Sequence, residues 1–442
     1  MSAQFFKAVC AELGEDAVDL TDDTLAAYGA NRLPGGDRCP SGVLFPRTVG
    51  DVQVIVQLAN RHEVTLWPTS TGQNLGLGEF SPVRAGQAVV HLGRYMNRIV
   101  ELDETLGYAV IEPGVTFRQL RAELAARGDK FMISGTSGPP DGGILGNALD
   151  RGAGYTPYFD HFGMLCGLEV VLGNGELIST GDAALPGAKT GHINKSGFGP
   201  LLDGLFSQSN YGNVTRAAIW LMPRPPAIRS FGFTFPEEDD LAEIIDLVRP
   251  LKMANVVPTL IKVTSAEYAF TTRERYPFDR TGGATPLPED PVLSTHLDTF
   301  SGEPTEAELG LLDWRPGGGA TWFLPATPMI GEVAAAQQRV SLDILTHFGF
   351  ERCVEFVCGP RAARALHVVV FNRADPAERH RMDDCYAALV AAYDKLGYPI
   401  GRTPTDWQER AMSRLPGLAA VTSAVKGALD PNRVLAPGKY GI

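Results

Sequence analysis

Leu-Trp-Pro-Thr-Ser-Thr-Gly-Gln-Asn-Leu-Gly-Leu-Gly, residues 66–78, changes from an apolar run into a loop of small polar residues. The apolar run from Val64 to Trp67 predicts a buried strand that breaks at Pro68. A loop with several glycines lets a ligand approach the main chain closely and can turn several N–H groups toward one anion. The glycines and small polar residues of this loop are Gly72, Gly76, Gly78, Thr69, Ser70, Thr71 and Asn74. Taken alone, such a loop is more often a polar surface turn.

The segments on both sides of the loop have regular hydrophobic patterns. Residues 51–62 predict an amphipathic helix before the loop. Residues 88–92, 98–102 and 108–112 predict three strands after it. The order is therefore helix, strand, glycine-rich loop and then a series of strands.

This order is accompanied by a resemblance to a known family. The matching segments are PRTVGDVQVIVQLAN, LWPTSTGQNLGLG and VVHLGRYMNRIVELDETLGYAVIEPGVTFRQL, within residues 43–120. They resemble the flavin domain of the vanillyl-alcohol oxidase and p-cresol methylhydroxylase flavoproteins, in which the loop after Leu-Trp-Pro wraps the FAD pyrophosphate. The resemblance is also sharp at residues 146–222 and 430–442. It implies an α+β fold with a two-part FAD-binding domain of the PCMH type, a cap domain, and a C-terminal segment that returns to the flavin.

Composition agrees with an enzyme of this kind. The chain has 442 residues, enough for two or three domains, with 44% hydrophobic and 20% charged residues. A net charge of −12 disfavours nucleic acid or an anionic membrane as the main partner. The six cysteines are scattered without a C-x-x-C pair, so we expect neither a metal site nor a disulfide set. The N-terminus lacks the apolar core of a signal peptide and no window is apolar enough to span a membrane, so we expect a cytoplasmic protein.

Three regions organise the chain. We expect residues 1–226 to form the FAD-binding domain, with its core at about 43–222, because Pro223 to Pro226 is a plausible boundary. Residues 227–395 should form an α+β cap, and residues 396–442 should return to the FAD site. The predicted cap strands are residues 231–235, 320–324, 353–358 and 366–371, the predicted cap helices are 237–251, 330–349 and 374–396, and residues 277–302 predict a long loop.

The first region contains further local signals. Residues 116–127 predict a helix capped by Thr116, and residues 163–172 and 176–179 predict a strand pair joined by Asn174-Gly175. Residues 134–155 are unusually rich in glycine, which is typical of a backbone that meets a ligand. Following the resemblance, the FAD-binding residues are Pro68, Thr69, Ser70, Thr71, Gly72, Gln73, Asn74, Gly135, Thr136, Gly143, Asn147, Gly154, Tyr155, Gly212, Val214 and Lys439.

Two basic residues have family roles by resemblance. Lys439, in Pro-Gly-Lys-Tyr-Gly, matches the cation beside flavin N1, where a fixed positive charge raises the electron affinity of the flavin. The alternative is an exposed C-terminal lysine. Arg402 matches the family arginine that stabilises the phenolate oxygen of the substrate, and a guanidinium suits any anionic oxygen. The alternative is a surface salt bridge.

Two acidic residues are further catalytic candidates. Asp141 matches the acid that some members place beside flavin N5, although an aspartate that caps a turn is the simpler interpretation. Glu308 matches an active-site glutamate that can act as a base, against the alternative of a carboxylate on a helix surface.

The chain also departs from the family pattern. Leu77 and Gly401 stand where the family has the two tyrosines of its phenol-oxygen site. Leu312 and Ala320 stand at the positions of covalent flavin attachment, and neither can bond the flavin. The resemblance therefore implies non-covalent FAD and an altered substrate site.

The predicted function is hydride transfer from a carbon of a small aromatic or conjugated alcohol, or an alkylphenol-like compound, to flavin N5. Electrons would then pass to O2 or to a protein acceptor. Two alternatives stay open: a flavin-dependent 2-hydroxy acid dehydrogenase, with Arg402 on the carboxylate, and a flavin-binding protein without redox turnover. A homo-oligomer is compatible with the sequence.

Overall fold

The computed structural model describes residues 2–235, 237–271 and 298–442. The helices are α1 Ser2–Leu13, α2 Asp22–Gly29, α3 Val49–His62, α4 Phe117–Ala126, α5 Ile144–Leu149, α6 Leu241–Met253, α7 Ala266–Thr271, α8 Gly331–His347, α9 Pro376–Leu396, α10 Gln408–Ser413 and α11 Pro416–Leu429. The strands are β1 Val18–Asp19, β2 Val43–Leu44, β3 Leu66–Thr69, β4 Ala88–His91, β5 Ile99–Asp103, β6 Tyr108–Ile111, β7 Phe131–Met132, β8 Leu165–Leu172, β9 Leu177–Ser179, β10 Gly212–Trp220, β11 Met222–Pro223, β12 Ile261–Thr264, β13 Gly319–Pro328, β14 Cys353–Cys358, β15 Ala362–Phe371 and β16 Ile400–Arg402.

The N-terminal half contains two main sheets. Strands β2, β4 and β3 are parallel neighbours, and β1 pairs with β2 at the edge. Helix α3 covers this sheet with Val52, Ile55 and Val56, because its apolar residues recur at helical spacing. Thr48 and Asp51 form a capping box that fixes the start of the helix. Strand β3 is thereby held in place, and with it the loop that follows.

The second sheet of this half has the order β5-β6-β10-β8-β9 and is antiparallel throughout. Helix α4 packs on it with Phe117, Leu120 and Leu124, and Thr116 caps the helix by accepting the Gln119 N–H at 3.1 Å. This core also includes Ile144 and Leu145 of the short helix α5. The start of α5 is therefore anchored against a rigid sheet.

The C-terminal half contains one antiparallel sheet of order β12-β14-β15-β13-β16. Helix α9 buries Tyr386, Leu389 and Tyr393 against Phe323 of β13. Helix α6 buries Ile245 near Val354 of β14. Strand β12 places alternate residues on opposite faces of this sheet, and one of them is Lys262.

The chain end returns to the first sheet. The Leu66 N–H donates to the Val434 carbonyl, and the Ala436 N–H donates to the Leu66 carbonyl, both at 2.7 Å. Asn210 Nδ2 donates to the carbonyl oxygens of Ala436 and Ile442 at 2.9 and 3.1 Å. These bonds bring the last residues beside the loop that follows β3.

The α+β class and the whole-chain architecture agree with the sequence analysis, and most predicted elements are present within a few residues. The predicted strand at residues 231–235 is wrong. Phe231, Phe233 and Phe235 are exposed, and this segment has no strand partner among the described residues, so its alternating pattern has no sheet to join. Most of the predicted loop at residues 277–302 lies outside the described residues. A membrane-spanning helix is not found among the described helices, since none combines the required length and apolar character.

Candidate active site

A cavity of about 380 Å³ lies between the N-terminal half and the C-terminal sheet. Its walls include the loop after β3, the start of α5, the start of β10, and the chain end. The C-terminal half contributes side chains from α7, β13, β14 and β15. A cavity of this size and mixed character is typical of a small-molecule site.

The loop after β3 is tied to the start of α5. Ser70 Oγ donates to the Pro113 carbonyl at 2.5 Å, and the Gly143 N–H donates to Thr71 Oγ1 at 2.9 Å. A Cβ at Gly143 would lie only 2.2 Å from Ser70 Oγ. The two glycine-rich segments therefore approach each other more closely than a side chain would permit.

Several polar groups on this side of the cavity lack a partner. Thr69 Oγ1 and both amide atoms of Asn213 are buried without a hydrogen bond in the described part of the chain. Both residues line the cavity. Because a buried polar group without a partner costs about 1–3 kcal/mol, these groups fit a bound molecule with donors and acceptors along its length. FAD has that chemistry, so these residues fit this cofactor.

One corner of the cavity is formed by the chain end and α5. Burial lowers the pKa of Lys439, whose Nζ lies 5.2 Å from the centroid of the Trp67 ring. Arg402 Nε donates to Asp150 Oδ2 at 2.5 Å, and Arg402 Nη2 pairs with the same oxygen. The Tyr440 hydroxyl donates to the other oxygen of Asp150. Asp150 therefore joins Arg402 to the chain end.

A buried acidic cluster forms the opposite wall. Glu308 and Glu355 both line the cavity and are 4% and 1% exposed. Lys262 Nζ lies 3.0 Å from Glu308 Oε1 and 2.7 Å from Glu355 Oε2. The hydroxyls of Tyr155 and Tyr268 donate to Glu308 at 3.3 and 3.4 Å. Carboxylates placed in this way can accept a proton from a group bound in the cavity.

Between these two walls the lining is mainly apolar. Trp322 lies over the loop after β3, and its Nε1 donates to the Leu75 carbonyl at 2.9 Å. The other apolar side chains of this part of the wall are Leu77, Leu309, Leu311, Leu312, Leu324 and Leu366. Such a surface favours a substrate with an aromatic or otherwise apolar body.

The structure brings most of the predicted site residues into this cavity wall. They are Pro68, Thr69, Ser70, Thr71, Gly72, Gln73, Asn74, Thr136, Gly143, Asn147, Gly212, Val214, Lys439, Arg402 and Glu308. Gly135 and Gly154 are outside it, and Gly154 packs so closely that a Cβ would lie 2.2 Å from Ser134 Oγ. Tyr155 is also outside the wall and bonds to the acidic cluster behind it.

Asp141 does not lie in the cavity. Its side chain is 58% exposed and accepts hydrogen bonds from Arg118 Nε and Nη2 at 2.8 and 3.1 Å. The Arg118 guanidinium lowers the pKa of this carboxyl group. Asp141 therefore lies in a surface ion pair, and this position does not support a role beside flavin N5.

Sequence reasoning missed several polar residues of the site. Glu355 and Lys262 are single charges inside the apolar strands Cys-Val-Glu-Phe-Val-Cys and Leu-Ile-Lys-Val-Thr. A charge within a buried strand is rare unless it is paired, so this pattern was available as a signal. Asp150 and Asn213 gave no such signal, because Asp and Asn are common in loops and at strand ends. Among the described residues, no group of three or more His, Cys, Asp or Glu could hold a metal ion.

Comparison with known proteins identifies related chains over the full length. Residues 40–181 match the family described as FAD binding domain. The chain is 34% identical to the 4-cresol dehydrogenase [hydroxylating] flavoprotein subunit of Pseudomonas putida, over 100% of this chain and 95% of that protein.

Two solved structures have the same architecture. A substrate-bound p-cresol methylhydroxylase matches with a TM-score of 0.93 and 31% identity, over 100% of this chain and 96% of the other. The 4-ethylphenol oxidase from Gulosibacter chungangensis, in complex with isoeugenol, matches with a TM-score of 0.94 and 28% identity, over 100% and 97% of the two chains.

Proposed function

Since the chain belongs to the vanillyl-alcohol oxidase and p-cresol methylhydroxylase family of FAD-dependent oxidoreductases, we propose that it oxidises a small aromatic or conjugated alcohol, or an alkylphenol-like compound. FAD would accept a hydride from the substrate carbon. The observation that carries this proposal is the single cavity that joins the glycine loops to the buried carboxylates of Glu308 and Glu355.

The residues of the chain have distinct proposed tasks. The loop at residues 68–74, the start of α5 and Asn213 would hold the cofactor. Lys439 would place a positive charge beside it, because the ammonium is buried in the same wall. The apolar side chains around Trp322 would bind the body of the substrate and exclude water. Glu308 and Glu355 would accept the proton that leaves a substrate hydroxyl.

The polar anchor of the substrate is proposed to differ from a phenolate site. Leu77 and Gly401 offer no hydroxyl, and Asp150 already engages two nitrogens of Arg402. Arg402 retains Nη1 as a donor toward a carbonyl or anionic oxygen. The substrate would be large enough to reach this nitrogen. Gly401 lies outside the cavity wall, and a Cβ there would meet nothing closer than the Leu324 carbonyl at 4.0 Å.

Anaerobic titration of the FAD-loaded protein tests the proposal. Three substrate panels are added separately: aromatic alcohols, 4-alkylphenols and 2-hydroxy acids. We expect an aromatic alcohol or a related compound to bleach the flavin absorbance. Reduction by hydroxy acids alone would contradict the proposed substrate class. Reduction by dithionite but by no organic compound would identify a flavin-binding protein without turnover.

Further parts of the proposal concern the assembly. FAD would be bound without a covalent link, because the side chains at residues 312 and 320 cannot bond it. Reduced flavin would be reoxidised by O2 or by a protein acceptor, in the cytoplasm. We also propose that residues 1–226, 227–395 and 396–442 are the FAD-binding, cap and returning segments. Strand β16 still pairs with β13, so the returning segment would begin in the cap sheet.

A further inference from the structure

Lys262 is the centre of a buried ionic cluster behind the cavity wall. Its side chain is 6% exposed, and those of Glu308 and Glu355 are 5% and 2% exposed. The three residues come from separate parts of the chain: Lys262 lies on β12, Glu355 on the neighbouring strand β14, and Glu308 in the segment before β13. Only the fold brings them together.

All the N–H donors of the Lys262 ammonium have partners within the protein. An ammonium has three N–H donors. Lys262 Nζ contacts Glu308 Oε1 at 3.0 Å, Glu355 Oε2 at 2.7 Å and Ser137 Oγ at 3.3 Å. Lys262 therefore has no donor left for a ligand, and it acts on the cavity only through the carboxylates that line it.

Glu355 keeps one oxygen available. Its Oε2 pairs with the Lys262 ammonium and accepts a hydrogen bond from the Thr264 hydroxyl at 3.3 Å. Its Oε1 has no hydrogen bond within the described part of the chain. Because Glu355 lines the cavity, this oxygen is a proton acceptor that a bound hydroxyl group can use.

The Lys262 ammonium favours the charged form of Glu355. Two carboxylates in one buried site disfavour each other's charge, and a cation between them offsets this effect. Burial raises the pKa of Glu355 to about 7, Glu308 adds to the rise, and the Lys262 ammonium opposes it. Burial also raises the pKa values of Tyr155, Tyr268, Cys353 and Cys358, so these neighbours stay neutral near pH 7.

We propose that Lys262 is a positioning residue that binds Glu308 and Glu355 into one unit and keeps that unit ready to accept the hydroxyl proton of the substrate. This inference rests on the proposed function. In the step it serves, the substrate C–H bond breaks and its electron pair leaves with the hydrogen as hydride to FAD. The substrate O–H bond breaks and its proton goes to the carboxylate pair, so that a C=O bond forms and charge and electrons balance.

The test compares Lys262→Met with the wild-type protein. The flavin-reduction rate is expected to rise with pH. Removal of the Lys262 charge should shift this rise to higher pH, by about one to three pH units. At pH 7 the rate should fall by about tenfold or more, with a larger effect on kcat than on KM, and it should recover as the pH is raised. Lys262→Arg keeps the charge and should keep the pH profile close to that of the wild type.

Lys252→Met is the matched control. Lys252 is also a buried cap-domain lysine, but its ammonium donates to the carbonyl oxygens of Val257, Pro258 and Thr259. This substitution is expected to lower stability without moving the pH profile. An unmoved profile in Lys262→Met, or an equal shift in Lys252→Met, would overturn the proposal.

Glu355→Gln is the second variant, for use if Lys262→Met does not fold. Its amide oxygen can still accept a hydrogen bond from Lys262. The substitution removes the carboxylate whose Oε1 is available to the substrate, so the flavin-reduction rate at pH 7 should fall by about tenfold or more, with a larger effect on kcat than on KM. An unchanged rate would show that Glu355 is not part of the unit that accepts the proton.

An infrared titration of the protein without substrate makes the test independent of turnover. At pH 8 Lys262→Met should show a stronger protonated-carboxyl band than the wild type. If the band is stronger while no compound reduces the wild-type flavin, the proposed function fails and the assigned role of Lys262 in the charge of the pair stands. If the two bands are equal, the role of Lys262 fails even where substrates are oxidised.

Discussion

At the residue scale, Arg402 has only part of its guanidinium available to a ligand. The Asp150 carboxylate accepts a hydrogen bond from Arg402 Nε and pairs with Arg402 Nη2. It also accepts a hydrogen bond from the Tyr440 hydroxyl. The negative charge of Asp150 offsets the positive charge of Arg402, which by resemblance is the family arginine expected to stabilise a phenolate. A phenol has a pKa of about 10 and is neutral at pH 7, so its oxidation benefits from such stabilisation.

We therefore predict low activity on simple 4-alkylphenols. The missing donors at residues 77 and 401 should cost about 1–3 kcal/mol or more, which corresponds to a loss of about ten- to a few-hundred-fold in kcat/KM. The double variant Leu77→Tyr with Gly401→Tyr should recover part of this loss on p-cresol. Steady-state kinetics decide the matter: high kcat/KM of the wild type on p-cresol or vanillyl alcohol, undiminished by Arg402→Ala, would contradict the prediction.

Lys439 leads to a second prediction at this scale. Its ammonium is buried in the cavity wall, where a positive charge favours the reduced, more negative flavin. Lys439→Met should lower the reduction potential of bound FAD and slow its reduction by substrate. Spectroelectrochemical titration measures the potential, and Lys395→Met, at an exposed lysine of α9, is the matched control. If the wild type, Lys439→Met and Lys395→Met have equal reduction potentials, Lys439 has only a structural role.

At the scale of elements, the site depends on the close approach of two loops. The loop after β3 and the start of α5 are joined through Ser70, Thr71 and Gly143. Gly143 has an ordinary negative φ of −73°, so its small size matters here and not its conformational freedom. The fold thus uses a glycine to bring two backbone segments to one ligand.

Gly143→Ala should consequently weaken FAD binding. The added methyl group would overlap Ser70 Oγ and push the two loops apart, a strain of about 1–3 kcal/mol. Gly135→Ala is the control, because a Cβ there meets nothing closer than Thr299 at 3.7 Å. Fluorescence titration of the apoprotein with FAD gives both affinities. If the two variants bind FAD equally well, the close approach of the loops is not needed for cofactor binding.

A second element-scale feature is the attachment of α11 to the chain end. The side chains of Lys426 and Asp430 are both 0% exposed, and Lys426 Nζ lies 2.6 Å from Asp430 Oδ2. Lys426 also donates to the carbonyl oxygens of Asn210 and Leu435, and Asp430 accepts the N–H groups of Val434 and Leu435. These bonds hold the segment that leads to Lys439.

We predict that Lys426→Met lowers the free energy of unfolding by about 3–5 kcal/mol, because Asp430 is left as a buried charge without its cation. Adding Asp430→Asn should restore part of the loss. Burial lowers the pKa of Lys426 to about 8, below the unfolded value of 10.5. The unfolded chain therefore binds more protons between these values, and this lysine makes stability rise with pH there. Urea unfolding across that range should show a steeper rise in the wild type than in Lys426→Met, in which Lys195, Lys252 and Lys439 still have lowered pKa values and keep part of the rise.

At the scale of the whole molecule, the wall of the cavity is built from both halves of the chain. Residues at 312 and 320 approach the site from the C-terminal half, in the part of the family fold that carries the covalent flavin link by resemblance. Leu312 lines the cavity and Ala320 is fully buried, and neither side chain is a nucleophile.

Denaturation in acid should accordingly release the flavin. If the flavin is held without a covalent link, as proposed, the FAD of the purified protein should pass into the supernatant when the precipitated protein is removed. Absorbance of the two fractions measures the distribution. A fluorescent protein band on a denaturing gel would reveal a covalent bond and contradict the prediction.

Much of this molecule is determined by local sequence signals. Helix α3 with its Thr48 cap, helix α4 with its Thr116 cap and the hairpin of β8 and β9 follow from hydrophobic period, caps and the Asn-Gly turn. The glycine-rich segments and the chain end were placed at a flavin site by resemblance, and the structure brings them to one cavity. Each helix pattern, cap and turn signal lies within a short stretch of sequence, so the local sequence specifies these elements.

Only the tertiary structure decides which charges meet. Lys262 reaches Glu308 and Glu355 across three separate segments, and Arg402 meets Asp150 across 252 residues of sequence. The same cause lies behind the wrong strand at residues 231–235, where the alternating pattern was present but no partner strand is found in the part of the chain that the structure describes. A strand needs a neighbour and a buried charge needs a counter-charge, and the sequence near either one does not specify where its partner will come from.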